Sequence, residues 1–82
     1  MQLIRTNAAS VAELLRATRG AAGYSSRELA ALIGVSHGTI SNWENARAEP
    51  SISQFIAWAD ATGQPADELL RVVAEIRNAA AA

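Results

Sequence analysis

An 82-residue chain that is 50% hydrophobic, 18% charged and 5% aromatic is one small folded domain, with a core built mainly from Ala, Leu, Ile and Val. With no cysteine and one histidine it has no disulfide, no cysteine-based metal site and no multi-histidine zinc site, and no apolar run approaches the roughly 20 residues of a membrane span. A net charge of −1 counts against bulk electrostatic binding to nucleic acid, but all seven basic residues are Arg, whose planar fork holds phosphate geometrically rather than as a point charge.

In chain order, caps and apolar spacing predict five helices and no strand. Residues 1–9 form an N-terminal arm, whose start lacks the basic and apolar regions of a signal peptide, so a cytoplasmic location is expected. Ser10-Val11-Ala12-Glu13 fits a capping box, and Val11, Leu14, Leu15 and Thr18 follow at helical spacing. Gly20 to Gly23 reads as a flexible turn ending this helix. A second capping box, Ser25-Ser26-Arg27-Glu28, starts a helix whose apolar stripe is Leu29, Ala30, Leu32 and Ile33, and Gly34 stops it. Only Gly34 and Val35 then separate this helix from a third, Ser36 to Asn45, which forces a sharp angle between the two.

The loop through Asn45, Arg47 and Glu49 ends at Pro50, which pushes Glu49 out of helical geometry. Ser51-Ile52-Ser53-Gln54 is a third capping box, with Ile52, Phe55, Ile56 and Ala59 as the stripe of a fourth helix ending near Gly63. Pro65 suits the first turn of a fifth helix, where Asp67 and Glu68 favour the positive end. Leu69, Leu70, Val72, Val73 and Ile76 make that helix apolar over a wide arc. Residues 78–82 are expected to fray. The domain proper is 10–77.

The third helix is the informative one. Ser36 can cap its first turn, Val35 is spaced to pack on Ile40 as a hydrophobic staple, and Ile40 and Trp43 share one face. The face left over is His37, Gly38, Ser41 and Asn42: small, polar and nearly uncharged. A merely solvated face more often carries Glu and Lys, whereas small hydrogen-bonding groups suit the reading of base edges in a major groove. His37 is the only histidine of the chain, but it lacks the orienting acid a catalytic role needs and the further ligands a metal needs. It is either a base or phosphate contact or an incidental surface residue. Gly38 costs about 1 kcal/mol relative to Ala within a helix; it makes room for a close approach or is neutral drift.

Ser25-Ser26-Arg27-Glu28-Leu29-Ala30, then Ile33-Gly34-Val35-Ser36, then Thr39-Ile40-Ser41-Asn42-Trp43-Glu44-Asn45, then Glu49-Pro50-Ser51 together resemble the Cro/C1-type helix-turn-helix family of phage and bacterial repressors. The resemblance spans about Val11 to Leu70 and agrees in both order and spacing. It implies an all-α, lambda-repressor-like domain that places its third helix in the major groove. It implies that Ser36, His37 and Gly38 meet base edges or adjacent backbone, with Thr39, Ser41 and Asn42 following along the helix. Ser26 stands where the family usually has a phosphate-contacting Gln, with Arg27 beside it, and Asn45 and Arg47 match the loop that tracks the DNA backbone. Many relatives have a Gly and several Lys in that loop; here Ala46 replaces the Gly and Arg47 is the only base. Glu44, ill placed near a helix C-terminus, matches a family acid that pairs with an Arg of the first helix, which here is Arg19.

The implied partner is an operator in double-stranded DNA, with no cofactor, metal, small-molecule substrate or enzymatic activity. Trp43 reads as core rather than a stacking platform. Trp58 reads as cover for the fourth and fifth helices, or as part of an exposed patch for a protein partner. That second option corresponds to an antitoxin-like interaction module that also represses its own promoter. The fifth helix either completes the core or pairs two copies as a homodimer. With Arg19 paired, the charge left for phosphate is small, and one protomer is expected to have modest non-specific affinity.

Overall fold

Serine starts four of the five helices. The computed structural model describes residues 8–81, arranged as α1 (Val11–Ala22), α2 (Ser26–Ile33), α3 (His37–Glu44), α4 (Ile52–Thr62) and α5 (Ala66–Ala81), with no strand among the described residues. Ser10, Ser25, Ser36 and Ser51 each accept a backbone N–H from the first turn of the helix that follows. The boxes at Ser25–Glu28 and Ser51–Gln54 close reciprocally. The one expected at Ser10 does not: the Glu13 carboxylate accepts instead from the Ala9 N–H, at 2.9 Å. Of the expected N-terminal arm, residues 1–7, including Arg5, lie outside the described residues.

The flexible turn expected at Gly20 to Gly23 is mostly helix. Gly20, Ala21 and Ala22 belong to α1, and only Gly23 leaves it, at φ 84°. Its N–H donates to the Gly20 carbonyl and that of Tyr24 to the Arg19 carbonyl, so the last turn is closed by bonds that a mid-helix glycine weakens but does not forbid.

The core is drawn from all five helices: Leu14, Leu15, Leu29, Ile40, Trp43, Phe55, Trp58, Leu69 and Val73 are among its buried residues. The two tryptophan rings sit 6.1 Å apart, tilted by 60°, a spacing within the favourable range for aromatic pairs. Trp58 is completely buried, and its indole N–H donates to Thr18 Oγ1 at 2.9 Å. Trp58 therefore contributes nothing to an exposed patch; the ring lies against α1. Thr18 in turn directs its hydroxyl at the carbonyls of Leu14 and Leu15, both at 3.0 Å, so no polar group in this contact is left unsatisfied.

Burying Trp58 rotates α4 away from the stripe read in the sequence. Its buried line is Phe55, Trp58, Ala59 and Thr62, while Ile52 is 69% and Ile56 39% exposed. On α2, likewise, Leu29 and Ala30 are buried but Leu32 is 57% exposed. On α5 only Leu69 and Val73 are buried; Leu70, Val72 and Ile76 are half-buried against the same core. Pro65 precedes α5 rather than entering its first turn, and its carbonyl accepts the Leu69 N–H. The helix continues to Ala81, through residues 78–81 of the stretch expected to fray. Arg77 on α5 pairs with Glu49 in the loop between α3 and α4.

Candidate nucleic-acid interface

The link between α2 and α3 begins with a left-handed residue. Gly34 has φ 77°, a conformation that costs a side-chain-bearing residue about 1–2 kcal/mol, and its N–H and that of Val35 both donate to the Ala30 carbonyl. Val35 is half-buried against the core cluster that contains Ile40, consistent with the staple. Ser36 caps α3 by accepting the Thr39 N–H at 3.1 Å, and the two side-chain hydroxyls are bonded at 2.9 Å. The first turn of α3 is thus organised by its own residues.

Ile40, Trp43 and Glu44 form the buried side of α3. His37, Gly38 and Asn42 are exposed and Ser41 is half-buried. The side chains of His37 and Asn42 make no hydrogen bond or ion pair within the described residues, so their donors and acceptors are available to a partner. Among the described residues nothing requires a glycine at 38: a Cβ there would meet only Ser36 Oγ, at 3.8 Å.

Asn45 differs from its neighbours. Its amide donates back to the Ser41 carbonyl at 2.8 Å and to Ser41 Oγ at 3.3 Å, satisfying the end of α3. Ala46 then takes φ 60°, in the left-handed region that favours glycine. Arg47 is exposed beyond it, its N–H donating to the Asn42 carbonyl. Ser26 is half-buried and Arg27 exposed in the first turn of α2. The adjacent Glu28 carboxyl is held below its usual range, chiefly by the backbone N–H of Ser25 and then by the Ser25 hydroxyl.

Arg19 and Glu44 meet as expected, and in a strong geometry. Nε donates to Oε2 at 2.7 Å and Nη2 to Oε1 at 2.8 Å, a two-pronged contact between α1 and the end of α3. Nη1 adds a bond to the Tyr24 carbonyl at 3.0 Å. Hydrogen bonding to Glu44 raises the Arg19 pKa above its ordinary value. The side chains are 20% and 9% exposed, so this is a partly buried pair and not a surface one.

A second arginine joins them that sequence reasoning assigned no role. Arg16 Nη2 donates to the Glu44 carbonyl at 2.6 Å. The only sequence signal was its place one turn before Arg19, on the same side of α1. The Thr18–Trp58 bond was equally silent, because it joins residues 40 apart. Among the described residues, no three His, Cys, Asp or Glu side chains are grouped to hold a metal ion, and no helix is long and apolar enough to cross a membrane.

Comparison with family models finds a match to helix-turn-helix over residues 15–69, about two thirds of the chain. Neither comparison with curated proteins nor comparison with solved structures finds a match. The matched span runs from the core of α1, through α2, the Gly34 turn and α3, into the first turn of α5. With five helices mounting a capped, polar-faced α3 behind that turn, the chain belongs to the Cro/C1-type helix-turn-helix family, whose members are DNA-binding transcription regulators.

Proposed function

We propose that this protein is a small sequence-specific repressor of the phage or bacterial Cro type, acting in the cytoplasm by occupying an operator. The observation that carries the reading is the outward face of α3: the His37 and Asn42 side chains are exposed, without a hydrogen bond among the described residues, and flank a glycine at which a Cβ would meet only Ser36 Oγ. Small polar groups on a rigid helix are what direct readout of base edges requires. Ser36, His37, Gly38, Thr39, Ser41 and Asn42 supply the groove contacts in this reading. Ser26, Arg27 and Arg47 supply the flanking backbone contacts, while Asn45 holds the end of α3, its side-chain amide and its backbone N–H both donating to the Ser41 carbonyl.

Two-fold pairing would double the few phosphate contacts available to one protomer. Its most favourable surface is not α5 alone but the groove between α4 and α5, where exposed Ile52 adjoins half-buried Leu70. The interaction-module alternative has less support now that Trp58 is interior.

Electrophoretic titration against DNA from upstream of its own coding sequence, with random DNA as control, tests the reading. A clear preference for the upstream DNA is expected, and Asn42→Ala should lose that preference while unfolding at the same temperature as the parent. No preference even in low salt would overturn it. Sedimentation of an Ile52→Ser variant tests the pairing surface, with a shift from dimer to monomer expected.

A further inference from the structure

Arg19 is poorly placed to provide the charge that a DNA backbone needs. Its guanidinium is bonded to both oxygens of Glu44 and to the Tyr24 carbonyl, and its charge is cancelled by the carboxylate. Arg16 is in the opposite situation. It is exposed, its single bond goes to a neutral backbone carbonyl, and no acid pairs with it among the described residues. Arg16, Arg19 and Glu44 together therefore keep one net positive charge, and it is the charge of Arg16.

Arg16 is also held in place. A long exposed arginine ordinarily loses rotamer entropy when it grips a ligand. Here the 2.6 Å bond to the Glu44 carbonyl fixes the guanidinium at the C-terminal end of α3, where the partial negative charge of the helix favours it. A guanidinium has five N–H donors, and one is used among the described residues. The end of α3 that holds it is also where the Asn45–Arg47 loop departs.

We propose that Arg16 is a DNA-phosphate-contacting residue, oriented by the last carbonyl of the recognition helix. The inference rests on the DNA-binding reading above. It divides labour on α1: Arg19 fixes α3 in place, and Arg16 carries charge to the backbone. Because a phosphate carries no sequence information, Arg16 should strengthen binding to operator and random duplex alike.

The test is a salt titration of binding to a random-sequence duplex by the parent protein, Arg16→Gln and Arg16→Lys, with thermal unfolding of each. One lost phosphate contact should make the slope of log affinity against log salt shallower by about 0.9 for Arg16→Gln, with roughly tenfold weaker binding at low salt. Arg16→Lys should keep most of the slope. If Arg16 only caps α3, Arg16→Gln lowers the unfolding temperature and leaves the slope unchanged, which overturns the proposal while DNA binding itself stands. A parent protein that binds neither random nor upstream duplex overturns both readings together.

Discussion

The two sides of this small protein are held together by different physics. On the α1–α3 side, Arg16 and Arg19 reach across to Glu44 through three directional bonds of 2.6–2.8 Å. On the α4–α5 side the contact is apolar, built from Phe55, Leu69, Val73 and half-buried Leu70, and it leaves Ile52 and Ile56 in water. Apolar burial is non-directional and scales with area, so it stabilises without fixing an exact pose. Bidentate charge-assisted bonds work only in one geometry. The stricter coupling is found where the proposed DNA-reading helix must be aimed, and the looser one where the molecule has surface to spare.

Breaking the directional side should have the largest effect. Glu44→Ala leaves Arg19 partly buried without its carboxylate, and should cost about 3 kcal/mol in urea unfolding. Adding Arg19→Met should recover part of that loss, because the stranded charge is gone. If Glu44→Ala costs no more than a surface pair, under about 1 kcal/mol, the contrast between the two sides fails.

Thr18→Val keeps the shape of the Thr18–Trp58 contact but strands a buried indole N–H. A loss of about 1–3 kcal/mol is expected by the same measurement, with the tryptophan fluorescence changed. This bond is a directional link between α1 and the otherwise apolar packing of α4, and an unchanged stability would show that it is idle.

Gly38→Ala should be smaller and opposite in sign. The space is open, so helix propensity should raise stability by up to about 1 kcal/mol. If the glycine serves close approach to DNA, the more stable variant binds its operator less well. Equal binding would make Gly38 drift.

The smallest effect separates two otherwise equivalent caps. The α2 box uses Glu28, whose carboxyl titrates below its ordinary value, and the α4 box uses uncharged Gln54. A folded-state pKa lowered in this way adds stability above the unfolded value of 4.5, which is lost as pH falls through the folded value. Acid should therefore weaken the parent protein slightly more than a Glu28→Gln variant, read as unfolding midpoints across that range.

Local chemistry was legible along the chain. Serine caps, glycine stops and the Gly34 turn depend on neighbours within four residues, so they placed the helices and the outward face of α3 before any packing was known. The ion pair between Arg19 and Glu44 was legible only through family resemblance. What tertiary structure alone decided were the choices between residues that are equivalent in a helical pattern. Ile52 and Phe55 both fit the stripe of α4, but once the Trp58 ring is buried beside Trp43 and bonded to Thr18, the helix is rotated so that Phe55 is inside and Ile52 outside. Likewise Arg16 and Arg19 are alike in sequence, and only the position of the end of α3 gives one a carboxylate and the other a carbonyl. Periodicity specifies which residues can share a face; the shape of the neighbouring elements determines which of them are buried in it.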